Sequence, residues 1–192
     1  MIKAIIFDCY GVLTSDGWFA FVADHFKQDS ELSQQAHDLN KQSNAGLISY
    51  EQFTQQLADL AHVSNELVVN ALGNNVPNLP LFTYIQTLKQ TYKLGILSNA
   101  SADWLEQLFS PDQLSLFEAT VLSYEVGHIK PHPTVYHAIC DKLGVQPNQA
   151  VFIDDIERYA TGAKDIGMQS IWYKNLDQLQ QDLNSLLANS DS

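Results

Sequence analysis

The chain is poor in positive charge. Ten lysines and arginines stand against 22 aspartates and glutamates in 192 residues, for a formal net charge of −12. Such a surface repels phosphate backbones and anionic lipid, which argues against nucleic acid and membranes as partners. An anionic small ligand would then need local cations, most simply a bound divalent metal. Cysteine is scarce as well. Cys9 and Cys140 are far apart and form no CxxC, so neither a disulfide framework nor a thiolate metal site is expected, only two buried reduced thiols. No apolar run approaches the ~18 residues that span a membrane. The first residues lack the basic and long apolar regions of a signal peptide, and the expectation is a cytoplasmic protein. A dinucleotide fingerprint, a Gly-x-Ser-x-Gly elbow and internal repeats are all missing.

What is present begins at the third residue. Lys3-Ala4-Ile5-Ile6-Phe7 is a short β-branched and apolar run that ends in Asp8, with Gly11 three residues on. A run of that kind reads as a strand buried on both faces of a parallel sheet. Its carboxyl end, where open α/β sheets place their chemistry, carries the aspartate. From Trp18 to about Asn75 the texture is helical with no convincing strand, enough for three or four helices. Trp18, Phe19, Phe21, Val22 and Phe26 make one apolar face, read as mostly core with one or two rings left to face a ligand. Ser49 with Gln52 forms a capping-box pattern, and Ser64 is another cap. Two prolines, Pro77 and Pro80, after Gly73-Asn74-Asn75 mark a boundary.

From Leu81 helix and strand alternate, with strands at 93–99, 119–123, 149–155 and 169–173. Helices are expected at 102–109 and 134–143, around Ala160 and Ala163, and from Leu176 to a tail frayed from Asn189. The alternation predicts a Rossmann-like α/β fold, a doubly wound parallel sheet. The helical block interrupts it as an inserted cap. The predicted division is a core of residues 1–15 and 80–192 and a cap of residues 16–79.

Three strand ends carry polar groups: Asp8 with Tyr10, Ser98-Asn99, and Asp154-Asp155. In a parallel sheet they share one edge, and Lys130 follows in the loop Gly127-His128-Ile129-Lys130-Pro131. Prolines 131 and 133 break any helix there, so His128, His132 and His137 offer no helical metal face; an exposed loop and helix surface are expected instead.

These residues, in this order, resemble the haloacid dehalogenase-like (HAD) hydrolase superfamily over essentially the whole chain. Phe7-Asp8-Cys9-Tyr10-Gly11-Val12-Leu13 resembles its first motif, Leu97-Ser98-Asn99 its second and Lys130-Pro131 its third. Phe152-Ile153-Asp154-Asp155, followed by Gly162-Ala163 and Gly167, resembles its fourth. The branch it looks most like is that of epoxide hydrolase N-terminal phosphatase domains and small glucose-1-phosphate phosphatases. The resemblance implies Asp8 as nucleophile and Lys130 as the cation that steadies it. It implies Ser98, Asn99 and Lys130 as phosphate contacts, and Mg2+ held by Asp8, the Tyr10 carbonyl and Asp154 or Asp155. The implied partner is a small phosphorylated metabolite of the sugar-phosphate type.

Tyr10 departs from the pattern, since phosphatases of the superfamily usually carry a second aspartate there. A phenol with an ordinary pKa near 10 is a poorer proton shuttle at neutral pH. Three readings follow: a Mg-dependent phosphatase, a metal-independent 2-haloacid dehalogenase, and a non-catalytic binding protein. Asp-x-Tyr-Gly suits the dehalogenase, because a halide leaving group needs no proton. The paired Asp154-Asp155 favours the phosphatase, because adjacent carboxylates gain from a cation.

Overall fold

The computed structural model describes residues 1–190; the side chains at 189–190 and residues 191–192 fall outside the described residues, and with them the fraying expected from Asn189. β1 (Ala4–Phe7) opens the chain. Four helices follow: α1 (Gly17–Phe26), α2 (Ser30–Asn44), α3 (Tyr50–Ala61) and α4 (Asn65–Gly73). Then come α5 (Leu79–Leu88), β2 (Lys93–Ser98), the four-residue helices α6 (Leu105–Leu108) and α7 (Pro111–Leu114), and β3 (Ala119–Leu122). The short α8 (Ser123–Val126) leads to α9 (Pro133–Leu143), β4 (Ala150–Asp154), α10 (Glu157–Asp165), β5 (Gln169–Trp172) and α11 (Leu176–Ser190).

The five strands form one all-parallel sheet in the order β3-β2-β1-β4-β5. β1 is central, so Asp8 leaves the sheet flanked by the ends of β2 and β4. Alternation along β1 divides the core in two. Ile5 and Phe7 face a cluster that includes Leu81 and Ile85 of α5 and Leu179 and Leu183 of α11. Ala4 and Ile6 face the other, with Val135 and Ile139 of α9 and Ala163 of α10. Helices therefore cover both faces, which is why the strands read as continuous apolar runs. Cys9 falls in the first cluster and Cys140 in the second, both buried free thiols as expected.

The helices α1–α4 pack around their own cluster: Phe21, Phe26, Ala36, Phe53, Leu57, Ala58 and Val68. Each start is capped. Asp16, Asp29, Ser49 and Ser64 accept from backbone N–H groups of the first turn, and Ser49 and Gln52 complete the capping box. Two chain segments join this unit to the sheet, and they hold each other. Ser15 donates its N–H to the Val76 carbonyl at 3.0 Å, Asn78 to that of Leu13 at 2.9 Å, and Thr14 bridges to Pro77. At the far end Ser123, following β3, donates its hydroxyl to the Asn44 carbonyl at 2.5 Å.

One expectation is corrected. The helix expected over 102–109 contracts to α6, residues 105–108, because the Asp103 carboxylate accepts the Leu105 N–H at 3.1 Å and holds the preceding residues in a bend. Of the apolar face of α1, Phe21 and Phe26 are buried and Phe19 is 48% exposed, in keeping with a face that is mostly core with a ring or two left over.

Candidate active site

The turn after β1 builds the site's floor. The Cys9 carbonyl accepts two N–H groups, from Leu13 at 2.8 Å and Thr14 at 3.0 Å, and Gly11 N–H reaches the Thr14 carbonyl at 2.8 Å. Gly11 sits at φ +83°, and a Cβ there would lie 2.3 Å from Asp155 Oδ2, so both the turn and the carboxylate's position require glycine. The Tyr10 carbonyl takes no backbone hydrogen bond among the described residues. Gly162 of α10 plays a similar part on the opposite side. A Cβ there would come within 2.6 Å of Pro131 Cβ, so glycine lets the Lys130–Pro131 loop lie against α10.

Lys130 is buried between two carboxylates, its Nζ 2.7 Å from Asp8 Oδ1 and 2.6 Å from Asp154 Oδ2. Its backbone N–H donates to Asn99 Oδ1 at 2.8 Å. Burial alone would push the Lys130 ammonium down, but the charges of Asp154 and Asp8 outweigh it and hold the group well above an ordinary lysine. Burial, followed by the charge of Asp154, pushes the Asp8 carboxyl well above the ordinary range, with Lys130 opposing. Asp8 also accepts the Cys9 N–H at 2.7 Å. Asp154 has both oxygens engaged, the second by the Ile156 N–H at 2.8 Å.

Asp155 differs from its neighbour. Its Oδ1 is buried without a hydrogen-bond partner, and burial, then Asp154, push its carboxyl up to about 6. Oxygens of Asp8, Asp154 and Asp155 lie within 4.8 Å of one another. Three carboxylates surround a single ammonium, so two negative charges stand in excess when all are ionised. An unpaired buried oxygen beside an oxygen-rich, net-anionic cluster fits a hard divalent cation such as Mg2+.

A cavity of about 250 Å³ opens over this cluster. Of the residues singled out from the sequence, Asp8, Tyr10, Asn99 and Lys130 line it; Ser98, Asp154 and Asp155 do not. Ser98 Oγ is buried and unpartnered. Asn99 is not at a helix start, since α6 begins only at Leu105. Burial pushes the Tyr10 phenol far above its ordinary value, so it keeps its proton.

Of the α1 rings, one or two of which are expected to face a ligand, Trp18 and Phe19 line the cavity. The rest of its walls was not legible in the sequence. His37, Asn40, Lys41 and Asn44 of α2 line it at i, i+3, i+4 and i+7, a helical stripe that polar residues concealed. Asp16, the N-cap of α1, is the other carboxyl on the wall besides Asp8. It caps Trp18 N–H at 2.8 Å, and burial pushes its carboxyl up. Tyr50, Trp104 and Arg158 complete the lining from α3, the loop after β2, and α10. His128 and His132 stack face to face, centroids 3.9 Å apart, in the exposed loop expected for them.

The sequence pattern of the haloacid dehalogenase-like hydrolases matches residues 2–167. The D-ribitol-5-phosphate phosphatase of Bacteroides thetaiotaomicron is 25% identical over 97% of this chain and 99% of its own length. Bifunctional epoxide hydrolase 2 of Sus scrofa is 31% identical over 59% of this chain, and the match spans 21% of that longer protein. A HAD family enzyme of Bacteroides thetaiotaomicron, solved with magnesium and inorganic phosphate, superposes with a TM-score of 0.73 at 25% identity, covering 91% of this chain and 95% of its own. L-2-haloacid dehalogenase from Xanthobacter autotrophicus shares the fold alone, at TM-score 0.68 and 21% identity over 96% of this chain and 83% of its own. With that match across the sheet and the helical unit alike, the chain belongs to the haloacid dehalogenase-like hydrolases.

Proposed function

We propose that this hydrolase is a Mg2+-dependent phosphatase of small phosphorylated metabolites, with Asp8 as nucleophile and residues 16–79 as a cap over the sheet edge. The observation that carries the reading is the Asp8–Lys130–Asp154 cluster with Asp155 Oδ1 left unpaired beside it. Similarity to a phosphatase along nearly its full length, and to a magnesium and phosphate complex, supports it.

Mg2+ would be held by Asp8, the Tyr10 carbonyl and Asp155, and when bound it supplies the positive charge that lets a carboxylate approach a phosphate. Asp154 fits the role of orienting Lys130, because both its oxygens are already taken. Lys130 holds Asp8 in position and neutralises charge on the transferring phosphoryl group. Asp8 Oδ attacks phosphorus as the bond to the ester oxygen breaks, and the leaving alkoxide takes a proton from solvent; water then attacks the phosphorus of the aspartyl phosphate and gives up a proton as phosphate and the free carboxylate are released. Asn99 anchors the Lys130 backbone, and Ser98 Oγ and the Asn99 N–H are assigned to phosphate oxygens.

The dehalogenase reading rests on Tyr10, which stands where a second carboxylate is usual. The two readings part on metal and on leaving group. Phosphate esters and 2-haloacids are assayed with magnesium and with chelator, using wild type and Asp8→Asn. Magnesium-dependent phosphate release, lost by at least about 10³-fold in Asp8→Asn, is the expected result. Chelator-insensitive halide release would replace it with the dehalogenase reading.

A further inference from the structure

The chain contains one arginine, Arg158, and it lines the cavity. In a protein of net charge −12 an arginine would be expected to sit in an ion pair. This one has no carboxylate within salt-bridge distance among the described residues. Its guanidinium is nevertheless fixed. Nη2 donates to Tyr159 Oη at 2.9 Å, and Cζ lies 4.8 Å from the centre of the Tyr159 ring. This hydrogen bond and the cation–π contact orient the guanidinium while leaving its other N–H donors free.

Besides Lys130 at the floor, two further basic side chains line the same cavity, His37 and Lys41, one turn apart on α2. Arg158 comes from α10 on the sheet side, so the three groups meet where the helical unit closes over the sheet. Burial, and then the charges of Lys41 and Arg158, hold the His37 imidazolium below its ordinary range, as expected if the three groups are close. Lys41 is already paired with Asp38 at 2.9 Å. Arg158 is the cation without a counter-charge.

Tyr159 relates this group to the reaction centre. Lys130 Nζ lies 5.1 Å from the same ring centre, so Lys130 and Arg158 are at most 9.9 Å apart, the limit their two distances of 5.1 Å and 4.8 Å set. A short carbon chain covers that span.

We propose that Arg158, facing His37 and Lys41 across the cavity, determines specificity by binding a second oxyanion of the substrate, so that preferred substrates are small phosphate esters that also carry a carboxylate. This rests on the phosphatase reading for the position of the phosphate. The planar guanidinium donates two parallel hydrogen bonds to a carboxylate, a fork geometry that an ammonium does not offer.

Two compounds with one skeleton test it: 3-phosphoglycerate, and glycerol 3-phosphate, in which a hydroxymethyl replaces the carboxylate. Binding is measured by calorimetry on the full chain with magnesium, in an Asp8→Asn background so that nothing turns over. The carboxylate compound should bind at least about tenfold more tightly. Arg158→Gln should reduce the ratio below about threefold, and Arg158→Lys should restore part of it. Arg158 is exposed, so neither variant threatens folding. Equal binding in the parent, binding of neither compound, or a preference that survives Arg158→Gln would overturn the proposal. Wild-type turnover of the same pair tests the phosphatase reading separately. Preference in binding with turnover of neither ester counts against that reading and leaves Arg158 as a carboxylate-binding group; equal kcat/KM for both compounds keeps that reading and removes this one.

Discussion

The floor and the walls of the cavity are built on different principles. The floor is polar, buried and over-determined. Lys130, Asp8 and Asp154 are almost fully removed from solvent, and nearly every charged atom there is met by a backbone group or an opposite charge. The walls are mixed aromatic and polar and partly exposed, drawn from α1, α2, α3, the loop after β2 and α10, with Phe19 48% exposed and Arg158 lacking a counter-charge. Each part suits its task. A group that must act on one atom gains from rigid partners, whereas groups that select among organic moieties leave their bonding capacity unspent until a ligand arrives.

The contrast predicts unequal costs. Lys130→Ala should be the most damaging change. It leaves Asp8 and Asp154 buried as neighbouring anions, and loss of one partner from a buried ion pair costs about 3–5 kcal/mol. A chemical-denaturation midpoint should fall accordingly, together with activity. An unchanged midpoint would mean that the floor does not hold itself together through that charge.

Metal should act on the floor in a pH-dependent way. The Asp155 carboxyl, pushed up to about 6 in the metal-free protein, binds protons more tightly folded than unfolded. Between the ordinary carboxylate value and about 6 the folded state therefore holds more protons, and stability from this group falls as pH rises through that window. Mg2+ competes with the proton, so the rise in Tm on adding magnesium should be large at pH 7.5 and small at pH 5. Equal shifts at the two values would place the metal away from Asp155.

The walls should be the most tolerant. Phe19→Ala removes a half-exposed ring and should cost less than about 1 kcal/mol in stability, while KM for a given ester changes severalfold. A large drop in stability without a change in KM would make Phe19 a packing residue instead.

The same contrast decided what could be read from the sequence. The strands, their carboxyl ends and the four polar motifs were legible because a buried parallel strand has to be an apolar run, and a polar residue at its end has few other reasons to be there. Gly11 and Gly162 were visible as motif glycines, but why they are glycine, close approach to Asp155 and to Pro131, came only from the fold. Which of the paired aspartates keeps a free oxygen was also invisible, since it depends on the Ile156 N–H and on Lys130 reaching Asp154. The polar stripe at His37, Asn40, Lys41 and Asn44 reads in one dimension as a solvated helix face, and only the position of α2 over the sheet turns it toward the cavity. The helix after β2 is shorter than expected for a related reason: residues 102–104 have helical propensity, but the Asp103 carboxylate takes the Leu105 N–H and α6 starts three residues later.

In the proposed reaction Asp8 carries the phosphoryl group. Rapid acid quench during turnover of a phosphate ester, followed by mass spectrometry of the tryptic peptide spanning residues 4–27, measures this directly. The expected result is a magnesium-dependent gain of one phosphoryl mass on Asp8, lost when chelator replaces the metal. Phosphate release with Asp8 unmodified throughout, or a carbon ester on Asp8 formed from a 2-haloacid without metal, would contradict it.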